Sequence, residues 1–238
     1  MIIKSTDELQ SLENIASNKL YGKGIDTKLV DYSYQVLSRH IIFGSILELG
    51  PAEGVMTGHL VQSAKKLTVV EGAKTFCESL RSRFPTATVI HALFEDFSTS
   101  ETFDSIILGH VLEHVEDPAH ILRLAKSWLS PGGRILAAVP NSRSLHRQAA
   151  AEMGLLPFEE AMSEADHFHG HRRIFNPESF RKVFRDAGMH INHFGGYWLK
   201  PVSNRQIEES WTPEMLAAFI TLGERYPDIA ADIYIVAD

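Results

Sequence analysis

One short stretch limits the possible folds of this chain more than any other. Residues 46–57 read Ile-Leu-Glu-Leu-Gly-Pro-Ala-Glu-Gly-Val-Met-Thr, which predicts a buried strand, a turn of small residues and the start of a helix. Small residues at such a turn let the backbone approach a nucleotide-like ligand. Glu71 follows Gly50 by 21 residues, at the end of the apolar run 67–70. A carboxylate at this point can accept hydrogen bonds from both hydroxyls of a ribose.

Four segments carry a family resemblance, and they follow one another in the family's order. They are Glu48 to Gly54, Phe103 to Leu108, His110 to Pro118 and Leu129 to Arg134. The first resembles the glycine motif of class I S-adenosylmethionine (SAM) dependent methyltransferases, with Ala52 in place of the middle glycine. The others are similar to that family's fourth strand, the segment after it, and the turn before its fifth strand. The resemblance covers residues 46–140 well and the two ends of the chain poorly.

The resemblance implies an α/β fold that binds SAM. The family fold is Rossmann-like: a doubly wound, mostly parallel seven-stranded sheet with an antiparallel C-terminal hairpin. It also implies backbone contacts to SAM from the glycine turn and a ribose contact from the acid after the second strand. The residues predicted to bind the cofactor are Glu48, Gly50, Ala52, Gly54, Glu71, Gly72, Leu93, Phe94, Glu95 and His110.

Two of these contacts are open to more than one interpretation. Glu48 is expected either to orient the loop or to hold the ammonium group of the ligand through water, because a buried acid needs a polar partner. In the family, an acid after the third strand takes the adenine amino group, and Leu93 falls at that position here. In one interpretation, Glu95 or a backbone group replaces that acid as the partner of the adenine amino group. Alternatively, Leu93 and Phe94 form a wall beside the ring, or these side chains only pack.

The pattern of segments predicts one main domain with an addition at its N-terminus. Strand-like and helix-like segments alternate from about residue 45 to 140, as in a parallel sheet covered on both faces. Residues 45–238 are therefore predicted to form the SAM-binding domain, with substrate-side insertions around residues 141–175. Residues 1–44 are predicted to form a helical cap over the open side of the cofactor. Later strands are predicted over residues 88–91, 135–139, 190–199 and 233–236. Later helices are predicted over 142–153 and 177–187 and from Pro213. Residues 154–174 are too irregular to assign.

Composition excludes several classes of protein. Hydrophobic residues make up 44% and charged residues 22% of the 238 residues, which is ordinary for a globular protein. A net charge of -7 argues against a general nucleic-acid binder, which needs a basic face. No apolar run approaches the about 20 residues of a membrane span. A single cysteine, Cys77, and a start without an apolar signal core predict a cytoplasmic location. The sequence does not indicate the oligomeric state.

The segment from His110 to His114 also fits H-x-x-E-H, a metalloprotease pattern. That function requires both histidines on one helix and a third, distant ligand. Here His110 is predicted to end a strand, and Asp117-Pro118 is predicted to start the helix. Ubiquinone-pathway O-methyltransferases resemble this segment, and some of that group use a divalent cation near it. Because His110 replaces their first acid and no third ligand is evident, we expect no metal.

A second group of histidines lies in residues 166–173, Asp-His-Phe-His-Gly-His-Arg-Arg. Alternate histidines on an extended segment could bind a transition metal, bind substrate or remove its proton, and a solvated loop is the remaining alternative. The run from Gly170 resembles a segment near the active-site mouth of small-molecule methyltransferases, which favours His171. His110 and His171 are the predicted base or substrate-orienting residues. The predicted substrate contacts are Tyr21, Asn141, His146, Arg147, His167 and His169.

The function predicted from these features is methyl transfer from SAM to oxygen or nitrogen of a small, polar molecule. Two alternatives remain. A nicotinamide oxidoreductase shares the strand, glycine turn and distal acid, although the chain lacks G-x-G-x-x-G at the turn. A noncatalytic SAM-binding module would share every cofactor residue, and the histidine group argues for catalysis instead.

Overall fold

A computed structural model describes residues 5–17 and 25–238 of the chain. In these residues the sheet has seven strands, in the order β3-β2-β1-β4-β5-β7-β6. The strands are β1 (Ser45–Leu49), β2 (Lys66–Glu71), β3 (Thr88–His91), β4 (Phe103–Gly109), β5 (Leu129–Pro140), β6 (Ile191–Tyr197) and β7 (Asp232–Ala237). The predicted fold, a mostly parallel α/β sheet with an antiparallel C-terminal hairpin, is confirmed.

Helices connect the strands. They are α1 (Ser5–Ser17), α2 (Ile25–Ser38), α3 (Val55–Ser63), α4 (Lys74–Arg83), α5 (Pro118–Ser127), α6 (Leu145–Glu152), α7 (Glu164–Phe168), α8 (Pro177–Asp186), α9 (Asn204–Ser210) and α10 (Pro213–Leu222). Within residues 5–17 and 25–238, every helix is too short or too polar to cross a membrane.

The chain divides into two compact units. The first comprises the described residues up to Gly109 together with Arg123–Leu136, and the second comprises His110–Leu122 and Ala137–Asp238. In the first unit β1 lies between β2 and β4, and Glu48 pairs in parallel register with Val69 and with Ile107. Its neighbours in the strand are fully buried aliphatic residues. Each such side chain stabilises the fold by roughly 1.5–3 kcal/mol.

The second unit contains the antiparallel hairpin, in which Tyr197 of β6 pairs with Asp232 of β7. Helix α8 buries Phe180 and Phe184, whose rings meet edge to face at 5.4 Å. This helix begins where the sequence predicts, because the Asn176 side chain caps it and Pro177 occupies its first turn.

Three element predictions needed correction. Strand β5 begins at Leu129 and so includes the residues predicted as a turn, because β-sheet pairing continues there and Phe103 N–H donates to the Trp128 carbonyl at 2.8 Å. The helix predicted from residue 142 begins at Leu145. Two short helices, α7 and α9, were not predicted; each starts with a serine capping box.

Candidate active site

In the first unit, the turn between β1 and α3 has an unusual backbone. Gly50, Ala52 and Gly54 have φ angles of 64°, 48° and 75°. Such angles are easy for glycine and uncommon for alanine, so the turn holds Ala52 in a strained conformation. A Cβ atom at Gly54 would clash with Leu80 of α4. Packing against α4 therefore requires a glycine at this position. The sequence analysis predicted a glycine here for a different reason, the close approach of a ligand.

Glu71 joins this turn to the end of β2. One carboxylate oxygen accepts a hydrogen bond from Ala73 N–H at 2.7 Å, and the other accepts one from Ala52 N–H at 3.3 Å. The residue is 6% exposed, and burial raises its pKa despite these hydrogen bonds. The structure thus places the predicted ribose-binding acid directly beside the glycine turn.

Glu48 is buried in β1 and meets a residue that the sequence analysis missed. The Thr57 hydroxyl, on α3, donates to its carboxylate at 2.7 Å. Burial, with a smaller contribution from repulsion by Glu71, raises the pKa of Glu48 to about 8. A buried polar residue on an otherwise apolar helix face is the signal that could have identified Thr57. Glu48 is thus protonated over much of the neutral range unless a cation approaches.

The residues predicted to contact adenine lie after β3. Leu93 is half-buried beside Gly72, Phe94 is half-buried, and Glu95 is exposed. The turn is held by hydrogen bonds from Phe97 N–H to the carbonyls of Leu93 and Phe94. With Glu95 exposed and Leu93 and Phe94 half-buried, both interpretations of the adenine site stay predictions.

In the second unit, His110 immediately follows β4 and has a φ of 57°, which is uncommon for a histidine. Its Nε2 lies 3.3 Å from the Tyr197 hydroxyl, and its Nδ1 lies 3.5 Å from a Glu113 carboxylate oxygen. Tyr197 is fully buried at the end of β6. This tyrosine was missed because it lies 87 residues from His110. A strained backbone that holds an imidazole between a phenol and a carboxylate is typical of a functional site.

Glu113 is surrounded by histidines. It is 1% exposed, and ligand atoms of Glu113, His114 and His171 lie within 4.8 Å of one another. Burial alone would raise the pKa of this carboxyl, but His110, His114 and His171 outweigh burial and lower it. His114 lies in a turn rather than in a helix, which argues against the metalloprotease alternative. The fold brings His171 to Glu113 and His114, a grouping that the sequence did not indicate.

His171 is connected to a buried ion pair. Its Nδ1 lies 3.3 Å from Asp166, and Arg147 Nη1 donates to the same carboxylate at 3.1 Å. Burial would raise the pKa of Asp166, but the neighbouring His171, hydrogen bonds from Ser163 and the charge of Arg147 hold it well below its usual range. Arg147 also donates to the carbonyls of Glu159 and Ala161.

The remaining predicted substrate residues fall into different environments. Asn141 is buried, and its amide donates to the carbonyls of Asp228 and Ala230. Arg147 donates to Asp166. The geometry therefore does not support either residue as a substrate contact. His146 is half-buried, and burial lowers its pKa to about 3. His167 is exposed and His169 is half-buried. Tyr21 lies outside the described residues.

Comparison with known proteins defines the class. A family model described as a methyltransferase domain matches residues 21–193, and the chain belongs to this family. It is a SAM-dependent methyltransferase, and this class is favoured over the nicotinamide oxidoreductase.

Two relatives illustrate the similarity in sequence. A ubiquinone biosynthesis O-methyltransferase of Xanthomonas euvesicatoria pv. vesicatoria is 23% identical over 167 residues, which cover 67% of this chain and 68% of that protein. Nodulation protein S of Sinorhizobium fredii is 30% identical over 150 residues, covering 59% and 69%.

Solved structures show the same fold. A SAM-dependent methyltransferase from Mesorhizobium loti has a TM-score of 0.64 at 17% identity and covers 87% of this chain and 99% of its own. The N-methyltransferase NodS from Bradyrhizobium japonicum WM9, solved with S-adenosylhomocysteine, has a TM-score of 0.60 at 15% identity and covers 96% of each chain.

Proposed function

We propose that this methyltransferase transfers the methyl group of SAM to an oxygen or nitrogen of a small, polar metabolite. The observation that carries the proposal is the contact of Glu71 with Ala52, which joins the ribose-binding acid to the glycine turn. Relatives that are named as an O-methyltransferase of ubiquinone biosynthesis and as an N-methyltransferase support both acceptor atoms. The net charge of -7 supports a small acceptor over a nucleic acid.

The residues of the first unit fit SAM. Glu48 is a buried carboxyl whose raised pKa reflects the need for a cation, and the ammonium group of SAM supplies one, directly or through water. Glu71 retains lone pairs for the ribose hydroxyls beyond those that accept from the backbone. Bound SAM supplies a methyl group on a sulfonium, which is already activated for transfer. The chain therefore contributes positioning and proton removal.

His110 is the proposed proton acceptor in this mechanism. An acceptor hydroxyl or ammonium must lose a proton when it is methylated, and imidazole is the usual side chain for this role. Tyr197 and Glu113 contact the two ring nitrogens and so fix the orientation of the ring. His146, neutral because of its lowered pKa, and His167 and His169 remain proposed substrate contacts.

Two further proposals concern the rest of the chain. We propose that the N-terminal segment, residues 1–44, covers the cofactor. In support, α1 contacts α4 through hydrogen bonds from Thr75 to Glu13, and His59 of α3 bonds to Asp31 at 2.8 Å and stacks on Tyr34. We also propose a cytoplasmic location, supported by the single, buried Cys77.

The experiment is a methyl-transfer assay with radiolabelled SAM and fractionated polar metabolites, followed by kinetics on the accepted compound. His110→Gln is expected to lower kcat by roughly 10²–10⁴, the usual contribution of a general base. His190→Gln is the matched control, because that histidine is exposed and only its backbone takes part in its described hydrogen bonds with Asp238. Tight S-adenosylhomocysteine binding without transfer to any fraction would favour the noncatalytic module. An unchanged kcat in His110→Gln would remove that residue from the mechanism.

A further inference from the structure

Glu113 is a buried acid whose surroundings are incomplete. Its two carboxylate oxygens are inaccessible to solvent, and neither makes a hydrogen bond within the described part of the chain. Its contact with His110 is 3.5 Å long. A buried carboxylate normally accepts hydrogen bonds or binds a metal, because an unpaired charge in the interior is costly. The burial of the Glu113 carboxylate therefore indicates that it binds a further partner.

Two histidines lie beside this carboxylate, and each has an oxygen near its Nδ1. His114 Nδ1 lies 3.2 Å from the Gly170 carbonyl, and His171 Nδ1 lies 3.3 Å from the Asp166 carboxylate. His114 donates from Nδ1 to this carbonyl and so keeps the lone pair of Nε2 for a ligand, whereas His171 Nδ1 lies at ion-pair distance from Asp166 without a hydrogen bond in the described residues. Carbonyl and carboxylate partners of this kind are those that accompany metal-binding histidines in proteins.

From this arrangement we propose a binding site for a divalent transition-metal ion of the zinc type, with Glu113, His114 and His171 as protein ligands. Imidazole nitrogens with one carboxylate suit zinc better than magnesium, which prefers oxygen ligands. Three protein ligands leave coordination positions open for water or another small molecule. The proposal rests on these side chains and not on the proposed methyl acceptor.

The distances between the ligand atoms fit a site that closes slightly around the ion. These atoms lie within 4.8 Å of one another. Tetrahedral coordination at about 2.1 Å places ligand atoms about 3.4 Å apart, so small rotations of the side chains complete the site. Glu113 has two carboxylate oxygens, so one can bind the ion while the other keeps its contact with His110.

The groups around the ligands are fixed in place. Asp166 accepts hydrogen bonds from Arg147 and from the backbone and hydroxyl of Ser163, the last two at 2.8 Å and 2.6 Å. Arg147 is itself held by two carbonyls. The carboxylate beside His171 is therefore held in place, so that only small side-chain rotations are needed to complete the site.

Zinc titration of the purified, chelator-treated protein, with metal content measured by mass spectrometry and affinity by calorimetry, tests the proposal. One tightly bound Zn²⁺ per chain is expected, with binding at least tenfold weaker in His171→Ala. His167→Ala is the matched control, because His167 is an exposed histidine in the same segment and is expected to retain full affinity. Circular dichroism confirms that each variant is folded.

Asp166→Asn tests the same site without removing a ligand. It is expected to weaken zinc binding by about 10- to 100-fold, the usual effect of losing an orienting carboxylate. If His171→Ala does not fold, Asp166→Asn still tests whether zinc binds at this site. The proposal is overturned if the wild-type protein binds no stoichiometric zinc, or if wild-type, His171→Ala and Asp166→Asn proteins bind it equally.

Discussion

Buried acids in the two units differ in their partners. In the first unit, Glu48 and Glu71 accept hydrogen bonds from a hydroxyl and from backbone amides, and their pKa values are raised. In the second unit, Glu113 and Asp166 lie beside imidazoles and a guanidinium, and their pKa values are lowered. Burial acts in the same direction on all of these groups, so the charges nearby decide the outcome.

This difference indicates what each region is suited to bind. Glu48 accepts a hydrogen bond from the neutral Thr57 hydroxyl and is repelled by Glu71, and a cationic ligand would offset the cost of its burial. That is consistent with a site for SAM. Burial would raise the pKa of Glu113, but its histidine neighbours lower it, which favours the carboxylate form that a metal ligand needs. The second region is therefore suited to proton transfer or to metal binding.

The largest effect is expected from removing the guanidinium of the second region. Arg147→Ala leaves Asp166 buried without the guanidinium that donates to it, which should lower the free energy of unfolding by about 3–5 kcal/mol. Urea unfolding measures this. Arg143→Ala is the matched control, because Arg143 pairs with Glu178 at the surface and should cost about 1 kcal/mol or less. Equal losses in the two variants would show that Asp166 does not depend on Arg147.

A smaller effect is expected from removing the ribose-binding acid of the first region. Glu71→Ala should weaken the binding of S-adenosylhomocysteine by about 1–3 kcal/mol, the range for a hydrogen bond to a charged group. Calorimetry measures the affinity. Glu78→Ala, an exposed acid on α4, serves as the control and should bind normally. Normal binding by Glu71→Ala would contradict the assignment of Glu71 to the ribose.

Taken per pH unit, the smallest effect is a pH dependence of stability caused by Glu48. Its pKa is about 8 in the folded protein and 4.5 in the reference state, so between these values the folded state holds a proton that the unfolded state releases. Stability should therefore be greatest below pH 4.5 for this group and fall as pH rises towards 8, by at most about 1.4 kcal/mol per pH unit. Glu48→Gln should reduce this slope to the part contributed by Glu71. An identical slope in wild type and variant would place the titration elsewhere.

Local patterns in the sequence were sufficient to predict the elements of the first unit and its candidate cofactor residues. Strand β1, its turn and helix α3 are continuous in the chain, and the alternation of apolar segments with helical periodicity predicted them. Glu71 could be identified from its distance in sequence, because the strand-turn-helix unit has a nearly constant length. The parallel sheet followed from the order of these segments, and the terminal hairpin followed from their resemblance to the methyltransferase family.

In the second unit, only the tertiary structure determines which side chains meet, because the contacts join residues that are far apart in the chain. His171 reaches Glu113 across 58 residues, and Tyr197 reaches His110 across 87. Periodicity describes which face of one element is buried, but it carries no information about which distant side chain meets that face. The same reason hid the role of Arg147, which the sequence suggested as a substrate contact and the fold pairs with Asp166. The sequence thus determined the fold and the cofactor turn, whereas long-range packing determined which charges lie beside the buried acids.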